Sequence, residues 1–297
     1  MPHAIKQEEI QDVLKGIVIP SPPQVIADLQ MEIAMPDPDI NEMAQLISND
    51  AGLSGSALKI VNSPFYGGND SVTSIKKAVI MLGVDTIIDI VNTICLKNAI
   101  TGDHPMSDNL YATLTRFWDS ATDVARVCVM VGKRMNLSPL DQVYSLGLFH
   151  NVGIGLLVSK HDNYLHIMRS SYQDEGDRII DVENAEYGTN HAVLGYYTAR
   201  TWKVSQFLCD IIAQHHNQDL FSTNNLTENR EIRILAVLKI AEHIVGMHRI
   251  LGDTDVDREW DAIGDNVLLA AGLTEYELED ITLQATELGY GQQQYFS

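Results

Sequence analysis

The sequence predicts an all-α protein composed of two packed helical lobes. Three observations favour this fold class. Apolar side chains recur at helical spacing along most of the chain, capping residues separate the periodic segments, and no segment of strand length alternates apolar with polar residues. The 297 residues are 45% hydrophobic, which is enough apolar material for a buried core. We therefore expect helices throughout and no β-sheet.

The first lobe begins with helices whose ends carry typical capping residues. Ser21-Pro22-Pro23 and Asp37-Pro38 each open a helix, because proline in the first turn loses no internal hydrogen bond. Gly83 ends a later helix in the usual terminal role of glycine. The three helices predicted after these two cover Ala51–Asn62, Ser74–Leu82 and Asp85–Ile100.

Turn residues at Thr101–Pro105 place a boundary after the first lobe. We predict an N-terminal lobe over residues 1–104, a second helical lobe over 105–251 and an acidic helical extension over 252–297. The predicted helices of the second lobe are 107–136, a helix capped by Ser138-Pro139 that runs toward Val158, 164–172, 191–202, 204–216 and 228–251. In the extension Arg258 is the only basic residue, and Thr274 with Glu277 has the spacing of a capping box.

The charge of the chain restricts its partners. Forty acidic residues against twenty basic ones give a formal net charge of -20, which repels phosphate backbones and anionic membrane surfaces. We expect neither nucleic acid nor membrane as a partner, whereas a small nucleotide in a locally positive pocket stays possible. No apolar run reaches membrane-spanning length, and the three cysteines form no CxxC pair. These features predict a cytoplasmic protein with reduced thiols.

Histidines and acids on separate helical segments are the candidate site residues. They are His150 with Asn151 in GLFHNVG, His191 in GTNHAVLG, His215 and His216 in IIAQHHN, and Glu242 in LKIAEHI. Helical proteins gather ligands from separate helices in this way, although a single histidine is more often structural. Both His215 and His216 can face one pocket only if the helix ends there, and Asn217-Gln218-Asp219 suggests that it does.

The glycines of the first motif have a simpler interpretation. Gly147, Gly153 and Gly155 lie inside a helical pattern, and no strand precedes them. A phosphate-binding loop is therefore not expected, and close packing of helices explains these glycines better.

LFHNVG resembles the LLHDIG segment of HD phosphohydrolases. Six more segments accompany it along the chain, and they are VIPSPPQVIADL, LISNDAGLSGSALKIVNSPFYGG, TSIKKAVIMLGVDTIIDIV, FWDSATDVA, GTNHAVLGYYTARTW and IIAQHHN. Their order resembles that of the HDOD family, whose members are output-domain relatives of the HD hydrolases, and the resemblance covers roughly Val13 to Leu251. The resemblance implies that the second lobe is an HD-like helical bundle and that the protein acts in bacterial signal transduction. It implies no established reaction.

The ligand pattern of enzymatic HD proteins is only partly present. There, successive His, His-Asp, His and Asp side chains hold one or two divalent metals that activate water. The resemblance puts Ser120 at the first His position, Asn151 at the paired Asp and Glu242 at the last Asp. His150, His191 and one of His215 and His216 keep the ligand type. Because a hydroxyl and an amide replace two ligands, a bridged dinuclear centre is not expected.

Three functions stay open at this point, and no residue is assigned a catalytic role. The first, which we expect, is a non-catalytic regulatory module that needs no cofactor and binds a protein partner, with its oligomeric state open. The second is a phosphohydrolase acting on a nucleotide or cyclic dinucleotide through one zinc, iron or manganese ion. The third is a small-ligand sensor, for which the main cations near the motifs are Lys160, Arg169, Arg200 and Lys203.

Overall fold

The computed structural model describes residues 13–62, 71–102, 108–173, 178–222 and 225–291, and these residues form helices and no β-strand. None of the helices in these ranges has the length and apolar content needed to cross a membrane. In chain order they are α1 Gln24–Ile33, α2 Ile40–Ser48, α3 Ala51–Val61, α4 Ile75–Leu82, α5 Val84–Thr101, α6 Asp108–Arg134, α7 Asp141–Phe149, α8 Val152–Lys160, α9 Tyr164–Gln173, α10 Ile179–Tyr187, α11 His191–Thr201, α12 Gln206–Gln214, a 3₁₀ turn Gln218–Ser222, α13 Arg230–Val245, α14 Met247–Gly252, α15 Arg258–Ala271 and α16 Glu275–Glu287. The all-α prediction is confirmed.

The chain divides into two compact units, one of them Pro20–His104 and the other Pro105–Ser297 together with Met1–Ile19. The smaller unit contains α1–α5. Three of these helices, α2, α3 and α4, begin at a side-chain cap, whereas α1 and α5 have none. The cap of α2 is Asp39, which accepts from the amide of Asn41, and not the predicted Asp37-Pro38. Gly83, at a φ of 85°, ends α4 as predicted.

Helix α13 is the central element of the larger unit. It packs against α6, α7, α14, α15 and α16, and apolar side chains on all its faces are buried. A helix surrounded in this way buries even its polar residues. Lys239 and Glu242, both on α13, are therefore removed from solvent, at 4% and 8% exposure.

Two of the predicted long helices are wrong, because each is interrupted. The segment running to Val158 forms α7 and α8, and Asn151, at φ −102° and ψ 12°, ends the helical hydrogen-bond ladder between them. Ser138-Pro139 does not cap α7, which begins at Asp141 after Leu140. Gly246 adopts a left-handed conformation, so the predicted helix 228–251 forms α13 and α14.

Helix α10 was not predicted, and α15 was covered only by the general prediction of a helical extension over 252–297. Each supplies a residue to the site described below. Helix α10 carries Glu183 and α15 carries Glu259. The acidic segment beyond residue 252 belongs to the same compact unit as α6–α14, and α15 packs on α13. The capping box predicted for α16 is confirmed, since Thr274 and Glu277 each accept from the backbone amide of the other.

The cysteines are free thiols in apolar surroundings. Cys128 and Cys209 are buried and Cys95 is partly buried. Burial raises the pKa of Cys95 and of Cys209 to about 11, so both are protonated at neutral pH.

Candidate functional site

The structure brings the histidine motifs together in the interior of the larger unit. His150 and Asn151 lie at the α7–α8 junction, His191 begins α11, and His215 and His216 follow the last residue of α12. The Nε2 atom of His215 lies 3.3 Å from His191 Nε2 and 3.3 Å from Asn151 Oδ1. Helix α12 ends at Gln214, two residues before the predicted end at His216, and both histidines are buried.

Close helix packing forms this cluster, as the glycines indicated. A Cβ on Gly147 would lie 2.5 Å from the Cα of Ala125 on α6, and one on Gly153 would lie 2.1 Å from the His191 carbonyl oxygen. Only a residue without a side chain fits at these positions. The break at Asn151 thus allows the start of α8 to pack directly on the start of α11.

Each of three histidines is oriented by a hydrogen bond at its Nδ1. His150 Nδ1 donates to the Gly147 carbonyl at 2.8 Å, and His215 Nδ1 donates to the Ile212 carbonyl at 2.7 Å. His191 Nδ1 donates to Glu183 at 2.7 Å. In a neutral ring with Nδ1 protonated, Nε2 carries the lone pair. Burial lowers the pKa of His215, so its ring presents an Nε2 lone pair toward the Nε2 atom of His191.

Glu183, which no sequence motif indicated, anchors His191. Its side chain is fully buried and accepts from the His191 amide at 2.9 Å, from His191 Nδ1 and from the Tyr164 hydroxyl. Burial and the nearby Glu183 carboxylate raise the pKa of Tyr164 well above its usual value, so the hydroxyl stays a donor. A carboxylate behind a histidine fixes its ring and increases its basicity as a ligand.

Ser120 and Asn151 occupy the positions where the resemblance implies lost ligands. Ser120 is fully buried on α6, and its hydroxyl donates to the Phe117 carbonyl at 2.7 Å, within its own helix. The Asn151 amide oxygen lies 3.3 Å from His215 Nε2, and its amide nitrogen has no hydrogen-bond partner among the described residues. Neither supplies the negative charge that a pair of divalent ions requires.

A buried lysine lies on the carboxylate side of the site. Lys239 Nζ is 2.9 Å from Glu242 Oε2 and 3.0 Å from Glu259 Oε1. The other oxygen of Glu242 is 3.3 Å from His150 Nε2, and the other oxygen of Glu259 is 3.4 Å from His216 Nδ1. One ammonium group therefore joins two carboxylates that also contact the histidines.

Lys239 and Glu242 are both ionised despite their burial. Burial opposes the charge of Lys239, but the carboxylates of Glu242 and Glu259 outweigh it and raise the pKa of the ammonium. Burial likewise opposes the charge of Glu242, but Lys239 and His150 hold the pKa of this carboxyl well below its ordinary value. The site therefore contains a charged internal ion pair at neutral pH.

The histidine side of the site fits one divalent ion, and the carboxylate side does not. Ligand nitrogens of His191, His215 and His216 lie within 4.8 Å of one another. Tetrahedral zinc with bonds of about 2.0–2.1 Å would separate its nitrogens by about 3.3–3.4 Å, and the two Nε2 atoms of His191 and His215 are 3.3 Å apart. At Glu242, by contrast, Lys239 already supplies the positive charge. The histidines thus suit one divalent ion, whereas the Lys239 ammonium lies where a second ion would have to approach Glu242.

The neutral histidines should make the protein less stable in mild acid. Burial, followed by neighbouring cationic groups, lowers the pKa of His215 and of His216 well below its usual value. Below about pH 6.5 the unfolded chain binds protons that the folded protein does not, so stability is lost as the pH falls. We expect a loss of about 1–1.5 kcal/mol per histidine between pH 7.5 and 5.5, measured by urea unfolding. The variant His216→Asn should show a shallower dependence, and stability unchanged at pH 5.5 would contradict the expectation.

A cavity of about 240 Å³ adjoins the Lys239 cluster. The cations that line it are Lys239, Arg178 and Arg258. None of the four predicted cations, Lys160, Arg169, Arg200 and Lys203, belongs to its lining, which corrects the sequence-based expectation. Proximity in sequence to the motifs was a poor guide, because most of the lining comes from α9, α13, α14 and α15. The remaining lining residues are Ser171, Tyr172, Ile179, His216, Gln218, Glu242, His243, Met247, His248, Asp257, Glu259, Trp260, Ala262 and Ile263.

Solved structures share this fold. An HDOD domain protein of unknown function from Geobacter sulfurreducens aligns with a TM-score of 0.64 and 23% identity, covering 94% of this chain and 96% of that one. A proposed phosphohydrolase from Shewanella amazonensis SB2B aligns with a TM-score of 0.64 and 20% identity, covering 93% and 94%. At these identities the likeness shows the fold.

Sequence comparison gives the family. An uncharacterised protein of Treponema pallidum (strain Nichols) is 25% identical over 203 residues, which is 67% of this chain and only 38% of that protein. The family model for the HDOD domain matches residues 19–218, a shorter span than the resemblance suggested, with α13–α16 beyond its end. With two thirds of its length matched, and with the helical fold of an HDOD protein, the chain belongs to the HDOD domain family.

Proposed function

We propose that this protein is a non-catalytic regulatory module of bacterial signal transduction that acts by binding a partner. The observation that carries the proposal is the Lys239 ammonium between Glu242 and Glu259, at 2.9 and 3.0 Å. It supplies permanently the positive charge that a second metal ion would bring. A metal-activated water needs an open coordination position on an ion, and an ammonium group offers none.

The environment of the site supports a structural use of these residues. Ser120 bonds within its own helix, Asn151 is neutral, and Glu242 is paired with Lys239. The histidine cluster is closed by Nδ1 hydrogen bonds and packed backbones. We propose that this interior keeps a fixed shape for a protein partner that binds the surface. A reducing, cytoplasmic location agrees with the free cysteines.

A second candidate function is a mononuclear metal-dependent phosphohydrolase. The 3.3 Å separation of the Nε2 atoms of His191 and His215 favours it. Those two histidines and His216 would hold one zinc, iron or manganese ion, which when bound would supply a Lewis acid for phosphoester cleavage. Glu183 would hold the His191 ring in place. The similar Shewanella protein, a proposed phosphohydrolase, belongs to the same fold.

Phosphoester turnover separates the two candidates. The purified protein is assayed with nucleotide monoesters and cyclic dinucleotides, with zinc, iron or manganese added in turn, beside the double variant His150→Ala, His191→Ala. We expect the rates of the two proteins to be equal, because no ion with an open position completes the site. Metal-dependent turnover that disappears in the double variant would establish the hydrolase instead.

A further inference from the structure

Donor groups from two separate elements converge on the carboxylate of Glu259. Lys239, on α13, and His216, after α12, contact its two oxygens at 3.0 and 3.4 Å. Both are almost wholly buried, whereas the Glu259 side chain is 24% exposed at the cavity. Glu259 lies on α15, beyond the residues that match the family model. A side chain of the C-terminal extension therefore reaches into the histidine site as an internal ligand.

The two donors are held independently of Glu259. Lys239 also contacts Glu242 at 2.9 Å, and the His216 ring lies against the rings of His215 and His191, at centroid distances of 4.2 and 4.9 Å. A lysine ammonium has three donor hydrogens, and its ion pair with Glu242 holds it in place when Glu259 is absent. Removal of Glu259 would thus leave preorganised donors facing the cavity.

The cavity suits a small organic anion, although the protein as a whole is strongly acidic. Arg178 and Arg258 line it, and Lys239 lies among its lining residues. Trp260 stacks on His243 at 4.1 Å with an interplanar angle of 13°, so that the lining includes a rigid aromatic pair. Guanidinium groups recognise phosphate and carboxylate oxygens well. Among the Lys, Arg, Asp and Glu side chains of the lining, these three cations are balanced by the three carboxylates of Glu242, Asp257 and Glu259. The cavity therefore lacks the acidic excess of the whole chain, and displacement of Glu259 leaves the cations in excess.

We propose that Lys239 and His216 form an oxyanion site that Glu259 occupies as an internal ligand, and that a small molecule with a phosphate or carboxylate group displaces it. Displacement would remove the contacts by which Glu259 ties α15 to α13 and to His216. Ligand binding would in this way alter the C-terminal extension, which gives the proposed regulatory module an input. The inference deepens the proposed binding role and rests on it.

Calorimetric titration with inorganic phosphate tests this site. The protein is first stripped with a chelator and dialysed, so that no metal contributes, and ionic strength is held constant. We expect Glu259→Gln to bind phosphate at least tenfold more tightly than wild type, because the competing carboxylate is gone. Glu279→Gln, an exposed position on α16, makes the same charge change and should leave the affinity at the wild-type value. Adding Lys239→Met to Glu259→Gln should abolish the gain.

A replacement variant and a second titrant complete the experiment. If the Lys239→Met combination does not fold, His216→Leu in the Glu259→Gln background replaces it and should lower phosphate affinity at least tenfold. Acetate, titrated in parallel, shows whether the site prefers phosphate or carboxylate oxygens. Phosphate affinity in Glu259→Gln no tighter than in Glu279→Gln would overturn the proposal. Inorganic phosphate has no ester to cleave, so this outcome is independent of the turnover assay for the proposed function.

Discussion

Replacing Lys239 with methionine is expected to lower the free energy of unfolding by about 3–5 kcal/mol. The substitution keeps most of the apolar stem but removes the ammonium that contacts Glu242 and Glu259. Glu242 would then be a buried carboxylate with only His150 opposite it. An unpaired buried charge of this kind is costly, whereas the intact pair contributes much less. Urea unfolding followed by circular dichroism measures the change.

Lys160→Met is the matched control, because Lys160 is an exposed lysine on α8 and its replacement should change stability by less than about 0.5 kcal/mol. Adding Glu242→Gln to Lys239→Met removes the unpaired charge and should restore part of the loss. If Lys239→Met unfolds at the same urea concentration as Lys160→Met, the ammonium does not stabilise the site.

Replacing Gly153 with alanine is expected to destabilise the protein by about 3 kcal/mol or more. The new Cβ would lie 2.1 Å from the carbonyl oxygen of His191 and 2.8 Å from its Cα. Backbone atoms of two helices would have to separate, because no flexible side chain can move aside. The shift would also displace His191 from Glu183 and His215. Thermal unfolding and the soluble yield report the loss.

Gly55→Ala is the matched control, because the same substitution is expected to increase stability there. Gly55 lies within α3, and a Cβ added there would meet no atom of another segment within 4 Å. Alanine should therefore stabilise that helix by about 0.5–1 kcal/mol. A small effect of Gly153→Ala, comparable to that of Gly55→Ala, would mean that α8 and α11 do not pack as closely as the structure indicates.

Local signals predicted most helices correctly. Ser74, at the start of α4, and the Thr274–Glu277 capping box act through contacts within three residues, which a sequence displays directly. The interruption at Asn151 was missed because it depends on contact between Gly153 and the distant His191 backbone. A residue with helical neighbours on both sides gives no local sign of such a break.

The candidate site was predicted only in part, because it too depends on contacts between residues far apart in the sequence. The histidine motifs are visible as residue types that favour ligand chemistry, but Lys239 and Glu242 at a spacing of three resemble an ordinary surface pair. Their burial follows in part from the packing of α15 on α13, which was not predicted although the extension was expected to be helical. Glu183 and Glu259 were not predicted, because their contacts with His191 and Lys239 form only when the helices pack and leave no local pattern in the sequence.

If the proposed function is correct, the site is complete without a metal ion, because Lys239 supplies its positive charge. Thermal unfolding of the wild-type protein before and after removal of metals with a chelator tests this most directly. We expect the two melting temperatures to agree within about 2 °C, which corresponds to less than about 1 kcal/mol. A metal bound at a thousand times its dissociation constant would stabilise the fold by about 4 kcal/mol. A fall of about 8 °C or more on chelation would therefore contradict the proposal and show that a bound ion holds the site together.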